Sequence, residues 1–116
     1  MGDTTEWLDR TRAEADVEGF EILAHSDLGG HGDGFQVIRR GDLLYVAHLG
    51  QSPMALSILD VSDVTAPRLL RQIEHPENTR CHKVQLAGDV LIQNNELPYW
   101  AKDVVPAPRT GLSVYD

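Results

Sequence analysis

This chain is poor in several things, and each scarcity excludes something. Among its 116 residues there is one cysteine, Cys81, which rules out an intrachain disulfide and fits a reducing compartment. Basic residues are few: 10 Lys and Arg stand against 18 Asp and Glu, a formal net charge of −8. Nucleic acid, whose phosphates need a basic surface, is therefore not an expected partner, and the surplus of acid serves solubility. No apolar run approaches the ~20 residues of a membrane-spanning helix, so no membrane partner is expected either. The opening MGDTTEWLDR carries acidic residues and no apolar core, unlike a secretory signal. Met1-Gly2 begins like a myristoylation site, but Glu6 occupies the Ser/Thr position of that motif. A cytoplasmic location is the expectation. Any compact catalytic signature is missing as well, and Ser57 and Ser113 have no acyl-transfer motif around them.

What is present is apolar alternation, with 41% hydrophobic residues, enough for the core of one domain. Across residues 43–70, LLYVAHLGQSPMALSILDVSDVTAPRLL, Leu43, Tyr45, Ala47 and Leu49 alternate with Leu44, Val46 and His48. That is the period-two pattern of a strand. Residues 50–53 form a turn cluster and 55–60 a second strand. Asp60-Val61-Ser62-Asp63 closes it with side chains that hydrogen-bond their own backbone, and Pro67 sets an extended entry into a third strand over 68–73. Part of this block recurs. Arg40-Gly41-Asp42-Leu43-Leu44-Tyr45 is echoed 47 residues later by Ala87-Gly88-Asp89-Val90-Leu91-Ile92. Leu56-Ser57-Ile58-Leu59-Asp60 is echoed 56 residues later by Leu112-Ser113-Val114-Tyr115-Asp116, the difference being an insertion over residues 98–110. A repeat of this length with several strands per unit has the dimensions of a β-propeller blade.

These segments resemble LVIVD repeats, a family named for its five-residue strand. Leu44-Tyr45-Val46-Ala47 and Asp60-Val61-Ser62-Asp63 match the family's AYVA-like strand and its DVSD turn. Pro67 keeps the second proline of the pattern, while Val64 stands where the first would be. The His-x-Val start is intact as His82-Lys83-Val84; the first copy has Phe35-Gln36-Val37 there. The resemblance covers residues 30–116. It implies an all-β fold of four-stranded antiparallel propeller blades and names no activity.

Size conflicts with a closed ring. Propellers use typically 4–8 blades, and this chain holds little more than two. The expectation is an incomplete ring, with the remaining blades in the same chain or another, hence a homo-oligomer or a protein partner. A short N-terminal helix is predicted over residues 3–18, an outer strand and Gly-rich loop over 19–34, a first blade over 35–80 and a truncated second over 81–116. The segment 20–25, of which residues 20–24 are the outer strand, stands to the first blade as residues 68–75 stand to the second, and each segment ends in a histidine, His25 or His75, before a polar loop.

Histidines are the first candidates for chemistry. His82 begins an innermost strand, His31 precedes the equivalent strand, and His48 and its counterpart Asn95 end second strands, with Glu96 beside Asn95. His31, His48, His82 and Glu96 converging at a channel mouth would suit Zn, Fe or Mn as cofactor, with positions left for water or substrate. Against this, a histidine flanking a strand commonly caps a turn, and the spacings match no compact metal signature. Gly29-Gly30-His31-Gly32-Asp33-Gly34 precedes a strand rather than a helix, so it reads as a turn that brings Asp33 to the rim. Asn95, Tyr99 and Trp100 are ligand-binding candidates, amides beside aromatic walls; the alternative is a solvated turn. Cys81 and His82 point to opposite faces if both lie on a strand, which argues against an activated thiol. Two functions stay open. The absence of a catalytic signature favours a binding and assembly scaffold, and the alternative is an enzyme that activates water or oxygen on a His/Glu-bound metal.

Overall fold

The computed structural model describes residues 18–49, 52–77, 79–97 and 109–116. The predicted helix over 3–18 lies outside these except for Glu18, which forms a bend with Gly19. The described residues are all-β, with one 3₁₀ turn, Leu28–Gly30. Four strands, β1 (Gly34–Arg40), β2 (Leu43–His48), β3 (Met54–Asp60) and β4 (Arg68–Glu74), form an antiparallel sheet in chain order. Three more, β5 (Val84–Ala87), β6 (Val90–Asn95) and β7 (Gly111–Tyr115), form a second.

The two sheets share one local chemistry. Gly41-Asp42 and Gly88-Asp89 are two-residue hairpin loops closed by the pairs Arg40↔Leu43 and Ala87↔Val90. The glycines carry φ of +57° and +58° and the aspartates do not share it, the pattern of a II′ turn with Gly first. Register repeats too: Val37 faces Val46 as Val84 faces Gln93, and Tyr45 faces Ile58 as Ile92 faces Val114. Beyond β3 the Asp60 carboxylate accepts the Ser62 N–H at 2.8 Å and Arg68 Nη2 at 2.8 Å. Asp63 then accepts both the N–H and the hydroxyl of Thr65. These are the backbone-binding turns that DVSD predicts.

Pairing across the strands sorts each sheet into two faces. On the first sheet, Ile38, Tyr45, Ala47, Leu56, Ile58 and Ile73 share a face that packs on Cys81, Val84, Leu86, Leu91 and Tyr115 at the second sheet. Gln36 Oε1 accepts the Val84 N–H at 2.6 Å across this seam, and the Arg40 guanidinium donates to the Gly88 carbonyl. The opposite face of the first sheet carries Leu44, Val46 and Leu59, covered by Leu28 and Val61. Because both faces are covered, β3 is buried almost throughout, with Ala55, Leu56 and Ser57 at 0% exposure.

Two strand expectations change. Residues 20–26 adopt no regular structure, so the outer strand expected at 20–24 is not formed, and Phe20 stands 86% exposed. A strand needs a neighbour to take its N–H and C=O groups, and the pattern of residues 20–24 does not supply one. β5 begins at Val84 and not at His82, because Asn94 Oδ1 takes the N–H groups of His82 and Lys83. Among the described residues no helix is long and apolar enough to cross a membrane.

Leu56→Ala, at the centre of the seam, is expected to cost about 2–5 kcal/mol in denaturant unfolding, and an unchanged midpoint would contradict the packing described. A second expectation concerns acid. The Ser62 N–H and hydroxyl, then Arg68, hold the Asp60 carboxyl down to about 2 from 3.8. With the folded value below the unfolded one, Asp60 contributes stability above pH 3.8 that is lost as pH falls toward about 2. Thermal melts of Asp60→Asn should therefore decline less over that acid window than those of the parent chain.

Candidate functional site

The most developed polar cluster lies at the end of β2. The His48 ring, 2% exposed, has Nδ1 at 2.9 Å from the carbonyl oxygens of both His31 and Gly32. Carbonyls only accept, so Nδ1 carries a proton, and in the neutral ring Nε2 is then an acceptor. Ser57 Oγ donates to Nε2 at 2.6 Å and itself accepts from Gln72 Nε2 at 3.0 Å. The second amide proton of Gln72 reaches the Leu28 carbonyl at 2.6 Å. Donation thus runs one way, from Gln72 through Ser57 and His48 to the loop carbonyls.

A serine hydroxyl on a histidine whose far nitrogen is oriented is the skeleton of an activated nucleophile. Here it has no access, since Ser57 is fully buried beneath the loop that the network holds down. Leu28 in that loop adopts a φ of +55°, costly for a side chain of its size and offset by its burial against Val46, Leu59 and Val61. Gly29 beside it has φ +70°, and a Cβ there would lie 3.1 Å from Gln72 Oε1. Position and chemistry make this network a clamp on residues 28–32.

The second sheet carries a polar cluster at the corresponding place. Asn95 stands where His48 does, and its Nδ2 donates to Ser113 Oγ at 2.7 Å. Its Oδ1 accepts from Gln93 Nε2 at 3.0 Å, while Gln93 Oε1 has no partner among the described residues. No base replaces the imidazole in this copy.

A third cluster gathers at the entrance to β5. Arg80 and Glu96 exchange two backbone hydrogen bonds, and Arg80 Nε donates to Glu96 Oε2 at 2.7 Å. The guanidinium holds the Glu96 carboxyl below its usual range. His82 Nδ1 lies 3.3 Å from the same oxygen, and the Phe35 ring meets the imidazole edge-on. Cys81 points the other way, into the seam between the sheets, and burial pushes its thiol up to about 11. Such a thiol is not a nucleophile at neutral pH.

Set against the sequence-derived candidates, the structure joins some and separates others. His82 and Glu96 meet. His48 meets His31 only through a backbone carbonyl, and the His31 ring pairs with Ser52 Oγ at 3.2 Å. Among the described residues no three His, Cys, Asp or Glu side chains converge as a metal-holding group. Asn95 is 5% exposed, with its amide engaged internally. Asp33 is exposed at φ +52°, its carbonyl accepting the Leu49 N–H. Tyr99 and Trp100 lie outside the described residues. Ser57, Gln72 and Arg80 were not among the candidates, although the serine recurring in both copies was a signal for the clamp.

Apolar side chains stand exposed on both sheets. Leu112 and Val114 on β7 are 67% and 63% exposed, together with Ile92 on one face of the second sheet. Their counterparts on the first sheet are Leu56, at 0%, and half-buried Ile58. On the far face of the first sheet Val37 is 54% exposed where its counterpart Val84 is at 2%. No family profile, curated protein or solved structure matches this chain.

Ser57→Ala strands His48 Nε2 and one Gln72 proton in a buried site. It is expected to destabilise the chain by about 1–3 kcal/mol, with Ser113→Ala, in a half-buried pair, costing less. Urea unfolding of the two variants checks this, and equal midpoints would remove the clamp's special role.

Proposed function

We propose that this chain is a segment of an LVIVD-like β-propeller that serves as a binding and assembly scaffold. Its two sheets are consecutive blades, and further blades come from the same chain or another. The observation that carries the reading is how the sheets meet. The first sheet offers the face of Leu56 and Ile58, and the second receives it with the face of Val84 and Gln93, which is the counterpart of Val37 and Val46. Units that stack in one sense always leave one face of each kind at the two ends of the stack. Those end faces are the ones carrying Leu112 and Val114 at one side and Val37 at the other.

An apolar face of this kind recognises another sheet or an apolar protein surface. The formal charge of −8 supports a protein partner over nucleic acid. Apart from Gln93 Oε1, the polar clusters spend their groups on one another, which supports contact rather than turnover as the task. A single thiol, buried and unreactive, supports a cytoplasmic setting.

The reading predicts a dissociation between folding and contact. Leu112→Lys with Val114→Lys should leave the melting temperature of the chain nearly unchanged, because those side chains are largely exposed. Leu56→Lys at the matching position should unfold it. A double variant that melts as early as Leu56→Lys would place this face in the chain's own core and end the scaffold reading.

A further inference from the structure

We propose that the wider end of the seam between the two sheets binds a small organic monocarboxylate with an apolar body. The site does not depend on the scaffold reading, since both sheets that form it are in place and every residue bordering it lies among the described residues. The seam is closed around Ala47, Leu56, Cys81 and Val84, none more than 2% exposed. Two residues further along each strand the cross-strand rows change character. The first sheet presents Tyr45, Ile58 and Arg71 in one row, and the second presents Leu86, Leu91 and Tyr115. Between these rows lies a cleft of about 550 Å³, within the size range of small-ligand sites.

Uncommitted donors set this cleft apart. Other guanidinium groups are spent within the chain: Arg39 donates to the Gly41 carbonyl, and Arg68 and Arg80 pair with Asp60 and Glu96. Arg71, at the cleft, has no partner among the described residues. Arg40 spends one nitrogen on the Gly88 carbonyl, which anchors its guanidinium at the rim and leaves further N–H groups open. The Tyr45 and Tyr115 rings pack on the core, yet their hydroxyls make no hydrogen bond among the described residues. A buried tyrosine ordinarily finds such a partner.

Guanidinium and phenol groups together suit a carboxylate, which a guanidinium holds through two parallel N–H bonds. Ile58, Ile73 and Leu91 supply an apolar wall for the rest of the ligand. Asp89 and Asp116 also border the cleft, so its two guanidinium groups face two carboxylates and leave no surplus charge. A multiply charged anion such as phosphate gains nothing from that balance and meets both carboxylates, which restricts the ligand to one negative charge.

The test titrates the full chain with phenylpropionate, which joins one carboxylate to an apolar ring, and follows backbone amide shifts by NMR. Saturable shifts are expected at Tyr45, Ile58, Arg71, Leu91 and Tyr115, and none at Leu28 on the far face of the first sheet. Acetate keeps only the charge and phenylpropanol only the body. Both, and inorganic phosphate, should bind more weakly by about tenfold or more. Arg71→Gln, at an exposed position, should weaken phenylpropionate by about tenfold with the melting temperature unchanged, and Arg71→Lys by less. Tyr115→Phe keeps the ring and reads the same site through the hydroxyl alone, so it too should weaken binding. A chain without saturable shifts up to the solubility of the probe overturns the proposal, as do shifts confined to other residues. So does an alcohol that binds as tightly as the acid, or an affinity that Arg71→Gln and Tyr115→Phe both leave unchanged.

Discussion

A sheet that is apolar on both faces must be covered twice, and the arrangement of this chain follows from that requirement. Tyr45, Ala47, Leu56 and Ile58 point one way from β2 and β3, and Val46 and Leu59 point the other. The second sheet answers the first set. The loop of residues 25–33 answers the second, with Leu28 as its apolar plug. At roughly 25 cal/mol for each Å² of apolar surface removed from water, neither face is stable left open. The second sheet inherits the same two-faced pattern but is covered on one side only, which is why Leu112 and Val114 stand in solvent.

Covering a sheet with a loop creates a second problem, since loop carbonyls lose water and need donors. The chain from Gln72 through Ser57 and His48 supplies them, at Leu28, His31 and Gly32. The imidazole is suited to this because one nitrogen can accept from the serine while the other donates to two carbonyls. At Asn95 the direction reverses, since its amide donates to the Ser113 hydroxyl. Burial and polarity are thus solved together in the first sheet, whereas the corresponding place in the second leaves Gln93 Oε1 without a partner among the described residues.

Much of this was legible beforehand. Strand positions follow from period-two alternation, both Gly-Asp turns from the need for positive φ in a two-residue hairpin, and the DVSD turns from short side chains that bind their own backbone. The equivalence of the copies, including Ser57 with Ser113, was readable because registers are set by those same turns. Less legible was the fate of residues at strand ends. His48 and Asn95 read as rim groups open to a ligand, and both are buried, because a distant loop or a cross-strand serine closes over them. Residues 20–24 have the composition of a strand like β4 yet form none in the chain. A strand is a relation between two segments, and one of them is not written in its own residues.

By itself the sequence determined the local alphabet: which segments are extended, where they turn, and that the unit occurs twice. Those outcomes depend on φ preferences and alternation within a few residues, so they survive without knowledge of neighbours. Only the tertiary structure decided which faces are covered, which histidine is sealed in and which tautomer it adopts, and that Cys81 lies in a seam and not beside a site. These depend on surfaces brought together from different segments, as when Gln72 meets Leu28 44 positions away, and burial is a property of the pair.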